Sequence, residues 1–275
     1  MTMSNTALRL PDGSCDCHFH IYGPFERFPA GSEGRFTPAR AFTIEDAFAL
    51  WDRIGVMRGV IVHAVGSGAD NAVTFEALRR FPDRLRATAI LQPDVTDRRL
   101  DELTDAGFKA VRVTMIRQDG KPVSTLGTSF DDLVELAPRL AERGWHAQIW
   151  IESSDLAAAA ESLERLPLTY VVDHMCRTMA DKGHRHPDYV AFTERLKTGR
   201  YWVKISGADR NTRAGRPTGI PRPSCARSSR RRRTRSCGAA TGRMSGTRTR
   251  PGPTSRTCCS SCGIASPTRR CAAES

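Results

Sequence analysis

Across the first 215 residues, short apolar runs rich in β-branched side chains alternate with longer stretches whose apolar positions recur at helical spacing. Seven runs predict strands: 15–21, 59–65, 86–91, 109–115, 146–151, 169–175 and 201–207. From Thr43 to Ile54, the residues Ile44, Ala47, Phe48, Trp51 and Ile54 share one helical face, and Thr43 with Asp46 reads as an N-cap pair. From Ser129 to Arg143, Phe130, Leu133, Val134, Ala137, Leu140 and Ala141 form a second apolar face, ending at Gly144. Ser153-Ser154-Asp155 opens a third helix that runs to Leu166-Pro167. Strands that are apolar throughout, alternating with helices, predict a parallel sheet covered on both faces. The expected fold is a (β/α)8 barrel of the TIM type that is one strand short, with an open doubly wound sheet as competitor. Polar residues recur at corresponding strand ends, which favours the barrel.

Those polar residues carry the candidate chemistry. In Asp16-Cys17-His18-Phe19-His20, positions i and i+2 of a strand face the same side, so His18 and His20 point together. Two imidazoles in one space can ligate a divalent metal or share proton transfer; the plainer alternative is two partly exposed histidines at a strand end. His174, in Val171-Val172-Asp173-His174, ends the sixth strand, where barrel enzymes keep catalytic groups. Arg112 interrupts an apolar strand; a buried guanidinium needs an anion, and arginine grips carboxylates through two hydrogen bonds. Arg117, Arg177 and Arg210 follow strands as well and point to an acidic substrate, with internal ion pairs as the alternative. His63 and Trp150 are candidates to line the same pocket, whereas His184 and His186 read as solvated and His146 as structural. No G-x-G-x-x-G, phosphate-binding loop or G-x-S-x-G is present, so nucleotide binding and a serine-hydrolase elbow lack support.

The stretches DCHFHIYGP (16–24), RFTP (35–38), the DN of GSGADN (66–71), AVRVT (110–114), VVDHMCR (171–177) and WVKISGADR (202–210) together resemble the amidohydrolase-2 branch of the amidohydrolase superfamily. The resemblance implies a (β/α)8 barrel with hydrolysis at its C-terminal mouth. It implies His18, His20 and His174 as catalytic histidines, and Arg112 and Arg177 as holders of substrate carboxylates. The branch includes lactonases that open cyclic dicarboxylic esters without a metal. Many other members hold zinc and add a histidine on the strand after the one carrying His174; WVKISG has none, which favours no cofactor. The alternative is one divalent metal on His18, His20 and His174, in a metal-dependent decarboxylase or hydrolase. Phe36 and Trp150 stand where the lactonases carry tyrosines, and Arg117 is displaced by one position from their second basic residue.

Charge changes the picture only at the end of the chain. The net charge is +12, yet from Arg216 to Ser275 there are 14 arginines or lysines against a single acid, Glu274. The body, 1–215, is therefore close to neutral, and six of the nine cysteines lie in the 216–275 tail. That tail offers Ile220, Met244 and Ile264 as its only large apolar residues, a composition that predicts disorder. It also lacks the W-G-[ST]-D-W-P-H stretch that the branch carries on its eighth strand, whose aspartate is the general base. Shifting the frame back by one nucleotide permits W-G-S-D-W-P-H at Gly238 to Met244, without a gap. The tail thus reads as an out-of-frame translation starting near Gly215, and this chain as impaired. Arg230 to Arg233 suggest a nucleic-acid patch, but no aromatic residue or lysine accompanies them. Cys258, Cys259, Cys262 and Cys271 lack the histidine and spacing of a common zinc knuckle. The expected partner is a small carboxylated substrate, with neither membrane nor nucleic acid. The N-terminus shows no apolar signal region, and few cysteines in the body suit the cytoplasm.

Overall fold

Thr43 and Ser129 each cap a helix through a reciprocal pair of hydrogen bonds, with Asp46 and Asp132 respectively, and so fix where two of the outer helices begin. The computed structural model describes residues 9–29, 38–118, 120–124, 126–212 and the backbone of 236–238. Its main elements run β1 (Cys15–Phe19), α1 (Ile44–Ile54), β2 (Arg58–Val62), α2 (Ala72–Arg80), β3 (Leu85–Ala89), α3 (Asp97–Ala106) and β4 (Phe108–Thr114). A hairpin follows, β5 (Arg117–Gln118) with β6 (Lys121–Pro122), then α4 (Phe130–Glu142), β7 (His146–Trp150), α5 (Ser153–Arg165), β8 (Tyr170–Val172), α6 (Pro187–Lys197), β9 (Tyr201–Ile205) and β10 (Ser236–Gly238).

The main sheet is parallel throughout, in the order β1-β2-β3-β4-β7-β8-β9-β10. It curls on itself, because Lys204 of β9 reaches His18 of β1 across the interior, with 3.4 Å between Nζ and Nδ1. The seven expected strands are all present. At the eighth place only the three-residue β10 lies beside β9, and among the described residues no ladder joins it to β1. The seam of the barrel is therefore unsealed. The expectations for the rest of 213–275, and for Phe36, lie outside the described residues.

The helices bury the faces their spacing predicts, with one rotation. In α1, Ile44, Ala47 and Trp51 are buried, and Trp51 meets Phe19 of β1 edge to face at 4.8 Å. In α4 the expected face needs correcting: Val134 is 44% exposed, whereas Leu136 is fully buried with Leu133, Ala137 and Leu140. Gly59 of β2 leaves the space that the Trp51 ring fills. No helix among the described residues is long and apolar enough to cross a membrane.

Candidate active site

The first strand delivers its two histidines through an irregularity. The register of β1 against β2 shifts between Asp16 and Phe19, and Asp16 Oδ1 accepts a hydrogen bond from the His18 backbone N–H at 3.1 Å. Phe19 turns out toward α1, while His18 is buried inside. The His18 ring lies 5.2 Å from that of His20 and 4.8 Å from that of His174. The three histidines singled out from the sequence thus form one cluster at the C-terminal edge of the sheet. Burial lowers the basicity of each: His18 falls well below the ordinary range, His20 to about 3 and His174 to about 4.

Beneath His18 lies a buried polar layer that the sequence reading passed over. Gln148 donates to both oxygens of Asp173, at 3.0 and 3.1 Å, and its own carbonyl accepts from Lys204 at 2.6 Å. Lys204 Nζ stands 3.5 Å from Asp173 Oδ1. Burial pushes the Asp173 carboxyl up, but its partners His18 and Lys204 outweigh that and hold it well below the usual carboxylate range.

His174 sits in an unusual turn. His174, Met175, Cys176 and Arg177 all have positive φ, between 44° and 57°. Left-handed backbone costs about 1–2 kcal/mol per residue for side chains with a Cβ, so contacts elsewhere must hold it. Ser206 Oγ meets His174 Nδ1 at 3.0 Å, Arg210 meets Nε2 at 3.1 Å, and Asn211 donates to the His174 carbonyl at 3.3 Å. Gly207 allows this approach: a Cβ there would lie 2.9 Å from His174 Nδ1.

The substrate-binding candidates separate. Arg112 is 6% exposed; its Nη1 donates to the His63 carbonyl at 2.8 Å, and its Nε is buried without a partner. Trp150 lies beside it, its ring centre 6.0 Å from the guanidinium carbon, with its indole N–H likewise unpartnered. His63 uses both ring nitrogens within the fold, on Thr74 at 2.8 Å and the Gly68 carbonyl at 3.0 Å. Arg177 faces Glu152 at 3.5 Å. Arg117 is exposed on the β5–β6 hairpin, where it donates to the Gly120 carbonyl at 3.1 Å. Arg210, near the rim, joins the cluster through His174. Asn71, from the GSGADN stretch, clips its loop to β3 by bonds to Ile90 in both directions.

The donors close enough to gather on one metal ion are His18, Asp173 and His174, within 4.8 Å of one another. His20 is outside this set, its Nδ1 being 2.6 Å from the Val62 carbonyl. The Lys204 ammonium already stands beside two of the three donors. Its charge opposes a divalent cation on this set.

A family model described as amidohydrolase matches residues 15–231. A 2-pyrone-4,6-dicarboxylate hydrolase of Comamonas testosteroni is 33% identical over 210 residues, 75% of this chain and 66% of the relative. A 4-sulfomuconolactone hydrolase of Hydrogenophaga intermedia is 32% identical over 205 residues, 74% of this chain and 66% of the relative. The matches therefore span just under two thirds of those relatives. Among solved structures, a probable 2-pyrone-4,6-dicarboxylic acid hydrolase of Acinetobacter baumannii superposes with a TM-score of 0.69 at 22% identity, covering 83% of both chains, and so shares the fold.

Proposed function

The chain belongs to this amidohydrolase family, and on that premise we propose that its site hydrolyses a small lactone bearing carboxylate or other anionic groups, without a metal. The observation that carries the reading is Arg112: a buried guanidinium with an unpartnered Nε and, among the described residues, no carboxylate hydrogen-bonded to it, beside three clustered histidines. A bound carboxylate supplies the missing partner. The lactone-hydrolase names of both relatives agree with it. Trp150 Nε1 is a second donor for the same anion, and Arg177 and Arg210 are cations for another. His18, His20 and His174 surround the scissile carbonyl, where hydrogen bonding stabilises the oxyanion.

The base that activates water belongs to the eighth strand, and this chain lacks the aspartate-bearing stretch. We take 216–275 as the out-of-frame product of a lactonase-like gene. The loss of a general base lowers turnover by roughly 10²–10⁴-fold. The body holds three of the nine cysteines, Cys15, Cys17 and Cys176, a usage that suits a cytoplasmic enzyme. The second reading, a metal-dependent hydrolase or decarboxylase, draws on the His18–Asp173–His174 set and is opposed by Lys204.

The test compares the 275-residue chain with one re-encoded in the shifted frame. Ring opening of 2-pyrone-4,6-dicarboxylate and 4-sulfomuconolactone is followed by ultraviolet absorbance. The shifted-frame chain is expected to turn over one of them and this chain to be at least 100-fold slower. A folded shifted-frame chain inert toward both would overturn the reading. Equal rates would overturn the impairment. Stoichiometric zinc, lost with activity on chelation, would favour the metal-dependent reading.

A further inference from the structure

We propose that Lys204 is a positioning residue that selects the tautomer of His18, holding Nδ1 as a hydrogen-bond acceptor so that Nε2 carries the proton. The inference rests on the hydrolase reading only for its catalytic use. A buried imidazole with no net charge has one N–H, and its partners decide which nitrogen bears it.

Two of the three histidines are settled by partners of one kind. His20 Nδ1 is 2.6 Å from the Val62 carbonyl, which can only accept, so Nδ1 carries the proton and Nε2 is bare. His174 Nε2 is 3.1 Å from an Arg210 nitrogen, which can only donate, so Nε2 is bare and Nδ1–H donates to Ser206 Oγ. Neither ring then offers an Nε2–H to a developing oxyanion.

His18 Nδ1 has partners of both kinds, Asp173 Oδ1 at 3.3 Å and Lys204 Nζ at 3.4 Å. Distance does not choose between them, but the lysine does. Its ammonium has three protons and no acceptor. One is donated to Gln148 Oε1 at 2.6 Å, and another faces Asp173 Oδ1 in an ion pair at 3.5 Å. Among the described residues, the acceptor left for the third is His18 Nδ1. Were Nδ1 protonated, that third proton would face an N–H in a site where Lys204 is 3% exposed. Asp173 has no matching need, because Gln148 already donates to both its oxygens. His18 is thus the one ring of the three that presents Nε2–H, and it stands between two rings that present bare nitrogens. On the hydrolase reading, that Nε2–H is the donor the cluster offers to a carbonyl oxygen that gains charge.

The test is solid-state ¹⁵N spectroscopy of the full-length chain labelled at histidine, at neutral pH and without substrate. The His18 resonances are identified by their loss in His18→Asn. The expected result is a protonated Nε2 and bare Nδ1 for His18, with the reverse for His20 and His174. In Lys204→Met the proton of His18 is expected to move to Nδ1, toward Asp173. A protonated Nδ1 in the unaltered chain overturns the proposal, and so does a His18 pattern unchanged by Lys204→Met. If Lys204→Met does not fold, the unaltered spectrum alone decides. A lysine that served only packing would leave the tautomer where it was. Failure of the hydrolase reading would show in turnover and leave these spectra as predicted.

Discussion

Gly59→Ala tests how the outer layer supports the site. A Cβ at Gly59 would stand 2.2 Å from Trp51 Cη2, 2.6 Å from Cζ2 and 2.8 Å from Phe19 Cε1. None of these atoms is the end of a flexible chain. Trp51 is 1% exposed, and its indole N–H donates to Asp16 Oδ2 at 3.3 Å. Forcing a methyl into such a contact costs about 1–3 kcal/mol. If the indole retreats and Oδ2 of the buried Asp16 loses its donor, a further ~1–3 kcal/mol is at stake. A total of about 2–6 kcal/mol lowers Tm on the order of 10 °C for a chain of this size. Urea unfolding followed by tryptophan fluorescence measures the loss. A cycle with Trp51→Phe locates it: the smaller ring withdraws the two closest atoms, so Gly59→Ala should cost at least ~1 kcal/mol less in that background. A cost below ~0.5 kcal/mol, or one equal in both backgrounds, would refute the reasoning.

Four further outcomes follow. Acid should destabilise the chain through His63 and His174, both lowered from 6.5 to about 4 by burial. Their stability contribution is complete above pH 6.5 and lost as pH falls toward 4, at up to about 1.4 kcal/mol per pH unit each. Asp16, raised from 3.8 to about 6 by burial, works the other way over that window, so a net fall remains; a urea midpoint flat from pH 6.5 to 4.5 would contradict it. Gly207→Ala should push the His174 ring away and strain a backbone at φ +63°, costing about 1–2 kcal/mol and at least tenfold in lactone turnover by the shifted-frame chain; an unchanged rate would show the approach to be dispensable. Arg112→Met should weaken 2-pyrone-4,6-dicarboxylate binding by at least about 2 kcal/mol, roughly 30-fold, in calorimetry on this chain. Dialysis against zinc should leave the unaltered chain below stoichiometry, and Lys204→Met should raise the bound zinc.

The parts of the site that were legible are those that break a local rule. A histidine pair at the end of β1 and a charge inside β4 contradict apolar strands, and both contradictions point to the interior. The same rule applies to Lys204 in YWVKI and Gln148 in HAQIW, which break their strands just as legibly. Other features had no local signal. Val134 and Leu136 fall at opposite edges of the α4 stripe, and only the sheet beneath decides which is covered. The left-handed turn from His174 to Arg177 contains no glycine or asparagine; Ser206, Arg210 and Asn211, about 30 residues on, hold it.

Charge shows most plainly why a composition cannot stand for a site. The overall +12 comes from residues 216–275, and the body averages to near neutrality. Inside that neutral body the barrel holds Arg112 and Lys204 against Asp173, all three at most 6% exposed. Lys204 is matched by Asp173, whereas Arg112 has a backbone carbonyl and, among the described residues, no carboxylate bonded to it. A buried cation without a counter-charge is costly unless something supplies one. Asp173 acts on the guanidinium through its charge without bonding it, so Arg112 keeps room for an anion that no sum over the chain reveals, beside the histidine cluster.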